Sequence, residues 1–352
     1  MGRTLDTSYI TPGGILAAAI VPTLLAITAV VLRFCARRAS KQKVLWDDWL
    51  LIPGVAFTTG ISIAMIIGVA GHGLGYSTGL PSGSPPEAQF FYLTPNLVLT
   101  KKVQYAIQIM QILGLGFIKA SVVLFYRRTF YVGVRDWFWW VTLLLLISNI
   151  GWTIVFTFLF VFYCGLDLWA AWNTVANLAK YCPNGGPYQN GLAISDFIMD
   201  VVIIILPIPK VLRLQIDLRR KLLVLAIFML GLVAIAASMT RMIFFVIQMD
   251  IGLDPSEDGK KIVGLILFWS SIENGAAIIA ACLPILRPIL RKASIPNLIH
   301  RLHGKLSLSS LRRSRTQSQT SIVEDVESTR SDQKDTVYDI AELRFPDESL
   351  LR

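Results

Sequence analysis

The chain has 352 residues, of which 54% are apolar and only 16% charged, against about a quarter charged in an ordinary soluble domain. The formal net charge is +10, but the basic residues crowd into short stretches between long apolar runs. That pattern belongs to a polytopic membrane protein and argues against nucleic acid as a partner.

Seven segments are long enough to cross a ~30 Å hydrocarbon core as helices. They lie near residues 13–34, 49–70, 103–126, 137–163, 190–212, 221–248 and 262–286. None alternates in the way a barrel strand must. The first is too long for the apolar core of a signal peptide, and it lacks a basic leader and a small-residue cleavage site. It reads as an uncleaved helix after a short extracellular N-terminus, 1–12. Arg33, Arg37, Arg38, Lys41 and Lys43 cluster at and beyond its end. The loops after spans 1, 3 and 5 carry thirteen Lys or Arg, against six in the N-terminus and the loops after spans 2, 4 and 6. The richer set is expected on the cytoplasmic side. The fold class is therefore all-α: a membrane bundle of seven transmembrane helices over 13–287, N-terminus outside and C-terminus cytoplasmic.

Span 2 opens on Asp47 and Asp48, in "WDDWL". They suit a helix cap that complements the helix dipole, or a contact with the basic inner loops or a cytoplasmic partner. Span 3 carries Lys119 and a stripe of Gln104, Gln108 and Gln111, within roughly 80° of one another at 100° per residue. Span 5 carries Asp196 and Asp200, span 6 Arg241 and span 7 Glu273. Charge at membrane depth costs about 2.5–3.5 kcal/mol per residue, so such groups face the bundle interior and pair. Counting 1.5 Å per residue puts Asp200 and Glu273 at about 16 Å depth, within reach of Lys119, and Arg241 level with Asp196. Two layers are expected: Arg241 with Asp196, and Lys119 with Asp200 and Glu273. Three roles stay open for this buried ionic network: structural glue, a switch coupled to ligand, or an ion path.

Cys164 and Cys182 flank the outer loop between spans 4 and 5, where an oxidising compartment favours a disulfide; Cys35 and Cys282 read as free thiols. The tail, 288–352, is basic to about residue 315, with Ile295, Leu298, Ile299, Leu302 and Leu306 interspersed, and then rich in Ser, Thr and acid. Its first part suits either a short surface helix or a disordered linker, and the remainder a disordered segment. Three histidines, His72, His300 and His303, cannot assemble a zinc site in the bundle. No phosphate-binding glycine loop and no Ser/His/Asp arrangement is seen, so enzyme activity, metal and cofactor are not expected.

An ordered set of motifs covers about residues 15–290: "DDW" at 47–49, "GHGLG" at 71–75, "IKASVVLFYRRTF" at 118–130, and Cys164 with Trp172 and Cys182. Asp200 followed by "LPIPKVLRLQ", "RRK" at 219–221, "SMTRM" at 238–242 and "WSSIENGAAIIAACLPILRP" at 269–288 complete it. In this set the chain resembles the fungal rhodopsin-like domain proteins, seven-helix membrane proteins of filamentous fungi that include members from secondary-metabolite clusters. The resemblance implies a fungal integral membrane protein of receptor-like topology. It does not imply retinal, because retinal-binding bundles carry their lysine in the seventh helix. Here Lys260 and Lys261 precede that helix and Lys119 lies in the third. The expected function is sensing of an unknown small-molecule ligand and signalling through the basic cytoplasmic loops to a cytoplasmic partner. The alternatives are a transporter or membrane component handling a secondary metabolite, and a structural scaffold. The expected location is the plasma membrane or another endomembrane, with the lipid bilayer as the first partner.

Overall fold

The computed structural model describes residues 10–77, 91, 93–130, 137–183, 185–209, 218–251 and 259–292, with side chains except at 218–230, 248–251 and 286–292. Most of the expected N-terminal segment, the basic loop with Lys210 and Arg213, and the tail from 293 lie outside the described residues. In chain order the elements are α1 (Pro12–Ala39), α2 (Trp46–Trp49), α3 (Leu51–Ala70), α4 (Pro95–Phe130) and α5 (Trp137–Val161). A 3-10 turn (Leu168–Trp172), α6 (Val175–Tyr181), α7 (Gly185–Ile205), α8 (Leu218–Ile251) and α9 (Gly259–Lys292) follow. No strand occurs among the described residues. Among the described residues, six helices are long and apolar enough to cross a membrane: α1, α2 joined to α3, α4, α5, α7 and α9. The sixth expected span falls within α8, a helix of 34 residues whose side chains are described over 231–247.

Prolines and caps set the helix boundaries. Thr11 caps α1, its hydroxyl accepting the Gly14 N–H at 3.1 Å, and Pro12 occupies the first turn, where no N–H is needed. The second span breaks at Leu50 because Pro53 has no N–H to offer the Trp49 carbonyl. The fifth ends at Ile205, short of the expected 212, because Pro207 and Pro209 cannot extend the ladder. α1 runs to Ala39, beyond the expected 34, so Arg33 and Arg37 are helix residues rather than loop residues.

Pro22 inside α1 frees the Ala18 carbonyl, and the Ser271 hydroxyl of α9 donates to it at 2.7 Å. Ser62 of α3 donates to the neighbouring Ala19 carbonyl. A Cβ on Gly275 would stand 2.5 Å from Pro22 Cβ, so only glycine lets α9 come this close to α1. The core follows the same helices. Ile15, Ala19, Ile61, Met65, Ile107 and Leu265 join α1, α3, α4 and α9, while Ile112, Trp152, Phe160 and Leu192 join α4, α5 and α7. α4 is therefore the shared helix, packed against α2, α3, α5 and α7. Leu24, Leu25, Leu144, Ile147 and Phe158 point outward, as a lipid-facing surface requires.

Candidate functional site: two buried ionic clusters

Lys119 Nζ lies 2.6 Å from Asp196 Oδ1 and 2.8 Å from Asp200 Oδ1. The two acids are one turn apart on α7, so a single ammonium bridges them. The second Asp196 oxygen, Oδ2, accepts from Arg241 Nη2 at 2.5 Å. Arg241 Nε stands 3.2 Å from Glu273 Oε2, and the same oxygen accepts from Gln111 Nε2 at 3.1 Å. Gln111 and Lys119 are both on α4, so the contacts close a ring: α4 to α7, α7 to α8, α8 to α9, and α9 back to α4. Lys119, Asp196, Arg241, Gln111 and Glu273 are all buried, and Asp200 keeps a slight exposure. Trp152 of α5 stacks its ring 5.5 Å from the ammonium, while its indole N–H donates to Ser195 at 2.8 Å.

The five expected charged residues thus come together, but in one circuit rather than two layers. Lys119 takes Asp196 as well as Asp200, and Glu273 pairs with Arg241 instead of Lys119. The depth count gives the Arg241–Asp196 and Lys119–Asp200 pairs but misplaces Glu273, because α4, α7 and α9 begin at 95, 185 and 259 rather than 103, 190 and 262. Those offsets correspond to about 5–12 Å along the axis, comparable with the single turn that separates the two aspartates. Within the glutamine stripe, Gln111 joins the ring, Gln104 is half-buried, and buried Gln108 has neither amide atom paired.

Asp47 and Asp48 form a second cluster. Asp48 does cap its helix, accepting the Leu45 N–H at 3.2 Å. Both carboxylates also clamp α1. Arg33 reaches Asp47 at 2.8 Å and Asp48 at 2.7 Å, and Arg37 reaches them at 2.9 and 3.1 Å. Arg33 Nη1 donates to the Ala281 carbonyl of α9 at 2.6 Å, Ser121 of α4 donates to the Asp47 carbonyl at 2.5 Å, and Arg128 approaches Asp47 at 3.5 Å. Arg33, Arg37, Asp47 and Asp48 are all buried. Arg33 and Arg37 were not among the expected site residues. Their signal was the i, i+4 spacing on one helix face, opposite an adjacent acid pair.

Cys164 and Cys182 form a disulfide, while Cys35 is an exposed free thiol and Cys282 a buried one. Between the bonded pair run the 3-10 turn and α6, held to the N-terminal part of α4 by Lys101, which donates to the Asn173 carbonyl. Tyr105 packs among Phe160, Tyr163 and Trp172, with ring centroids 6.2–6.3 Å apart. Burial, with Tyr105 alongside, pushes the Tyr163 phenol up to about 12.

Residues 32–292 match the fungal rhodopsin domain family. Two relatives are each 27% identical to the chain. The polyenoic acids biosynthesis gene cluster protein Ba17b of Metarhizium anisopliae aligns over 288 residues, 78% of this chain and 72% of that protein. The phomoidride biosynthesis cluster protein H of Fungal sp. (strain ATCC 74256) aligns over 286 residues, 77% of this chain and 86% of that protein. No solved structure matches. The membrane helices and a family match running through both ionic clusters agree: the chain is a multi-pass membrane protein that belongs to the fungal rhodopsin domain family.

Proposed function

We propose that this protein senses a small, largely apolar metabolite within the membrane and passes that event to a cytoplasmic partner, binding the metabolite without transforming it. The observation that carries the reading is the closed ring of Lys119, Asp196, Arg241, Glu273 and Gln111. A ring of charge pairs has discrete alternative pairings, which is what a two-state element needs. α4 and α9 belong to both clusters, so a shift at the ring displaces Ser121, Arg128 and the Ala281 carbonyl as well. The biosynthesis clusters named for both relatives support a secondary metabolite as the ligand. The count of basic residues supports a cytoplasmic position for the second cluster, and with it a plasma-membrane receptor topology.

A transporter is the second reading, favoured by three carboxylates gathered in one place, with one oxygen from each of Asp196, Asp200 and Glu273 within 4.8 Å of one another. One experiment separates the two. A spin label on exposed Cys35 sits beside the second cluster. In lipid nanodiscs, a conjugated C18 polyenoic acid is expected to change the label's spectrum, and Lys119→Met to remove the change. Uptake of that acid into proteoliposomes, abolished by Asp200→Asn, decides for transport.

A further inference from the structure

With all three of its carboxylates ionised, the ring does not balance its own charge. Asp196, Asp200 and Glu273 bring three negative charges, and among the described residues Lys119 and Arg241 bring the two positive charges paired with them. A residual negative charge in a low-dielectric interior is costly, so the structure calls for one more unit of positive charge.

Unused oxygens lie beside the deficit. Glu273 Oε1 is buried with no partner, and so is Gln111 Oε1. Gln111 is 1% exposed, and its Nε2 is fixed on Glu273 Oε2. The free oxygen of that amide therefore sits next to the same carboxylate. Asp200, one turn from Asp196 on α7, holds Lys119 through a single oxygen at 2.8 Å. Asn274, fixed by its donation to the Ser270 carbonyl at 2.8 Å, turns an unpartnered Oδ1 toward α4 at Gly114.

We propose that this cluster binds one sodium ion, held by Glu273, Asp200 and Gln111 beside Asp196. Every donor is oxygen, which selects a hard cation and disfavours soft transition metals. The charge deficit is one, so a divalent ion would leave the buried cluster positive. One oxygen from each of three carboxylates within 4.8 Å of one another admits a central ion at about 2.8 Å or less from each, the separation divided by √3. Sodium, with nearly the radius of calcium and half its charge, bonds oxygen at about 2.3–2.6 Å and fits within that limit. The ion completes the circuit on its weak side. Arg241 Nε approaches Glu273 without hydrogen-bond alignment, whereas Lys119 and Arg241 Nη2 hold Asp196 tightly.

The test uses the full chain in nanodiscs with no metabolite added, so its outcome is independent of the sensing proposal. Nine tryptophans report unfolding by intrinsic fluorescence. Sodium chloride replaces choline chloride at constant total salt. The expected result is a saturable rise in Tm of about 3–6 °C with sodium, smaller with potassium. Gln111→Leu is expected to weaken the response, and Glu273→Gln to abolish it. Equal melting in sodium and choline overturns the proposal. A Tm that follows pH and ignores sodium also overturns it, because a proton then supplies the missing charge. The wild-type comparison stands even where a variant fails to fold.

Discussion

Asp196 and Arg241 face each other at 2.5 Å, both shut off from solvent, and Asp196 uses its remaining oxygen on Lys119. One carboxylate thus joins α4, α7 and α8. Removing one member of a buried pair strands the other, at about 3–5 kcal/mol. Lys119→Met should therefore cost about that much, seen as lost folded yield by fluorescence-detected size exclusion. Lys119→Met with Asp200→Asn should recover part of the loss, because fewer uncompensated acids remain. A double variant no better than the single excludes direct pairing.

The second cluster predicts a sharp contrast between neighbouring arginines. Arg33 is fully buried against two aspartates and the Ala281 carbonyl, whereas Arg38 is exposed. Arg33→Ala should cost about 3–5 kcal/mol and Arg38→Ala about 0.5 or less. Thermal unfolding of the two variants, side by side, checks this.

Ser271 and Pro22 should be epistatic. Ser271→Ala leaves the Ala18 carbonyl unpaired in the membrane interior, at about 1–3 kcal/mol. Pro22→Ala restores the N–H that would pair with it inside α1. The double variant should melt above Ser271→Ala alone.

The loop closed by Cys164 and Cys182 should respond to reduction. Cys164 and Cys182 are 18 residues apart. Replacing both by serine should cost about 2–4 kcal/mol. It should also open the 3-10 turn and α6 to protease before the helices are cut, as read by mass spectrometry of the fragments.

Tyr163 predicts a limb at alkaline pH. A free phenol titrates near pH 10, and burial with Tyr105 alongside raises this one to about 12. The fold favours the neutral ring, so its contribution is complete below pH 10 and fades as pH rises to 12. Tyr163→Phe should flatten the dependence of Tm on pH across that window.

Much of the site was legible because ionisable residues are so expensive at membrane depth. Lys119, Asp196, Asp200, Arg241 and Glu273 stand out against apolar neighbours, and they do converge. Their pairing was legible only in part: Arg241 with Asp196 and Lys119 with Asp200 are found as expected, whereas Glu273 is on Arg241. Hydropathy locates a helix end only to several residues, and one turn decides whether Lys119 meets Asp196 or Glu273. Arg33 and Arg37 were hidden for a different reason. A basic residue at the end of an apolar run signals orientation and burial equally well, and only the position of Asp47 and Asp48 across from them distinguishes the two. The break at Leu50 and the end of α7 at Ile205 depart from the expected spans, which ran through Pro53 and Pro207 because hydropathy counts proline as no interruption.

The contacts between α1 and α9 also impose an order in time. Ser271 is 253 residues beyond the carbonyl it satisfies, and Ala281 is 248 beyond Arg33. A ribosome adding about 5–20 residues per second needs roughly 13–50 s to cover that interval. Throughout it the first helix holds an open carbonyl, and Arg33 still lacks its last acceptor. Only the arrival of α9 closes both, so a chain stopped before α9 displays two unmet hydrogen-bonding groups that mark it as unfinished.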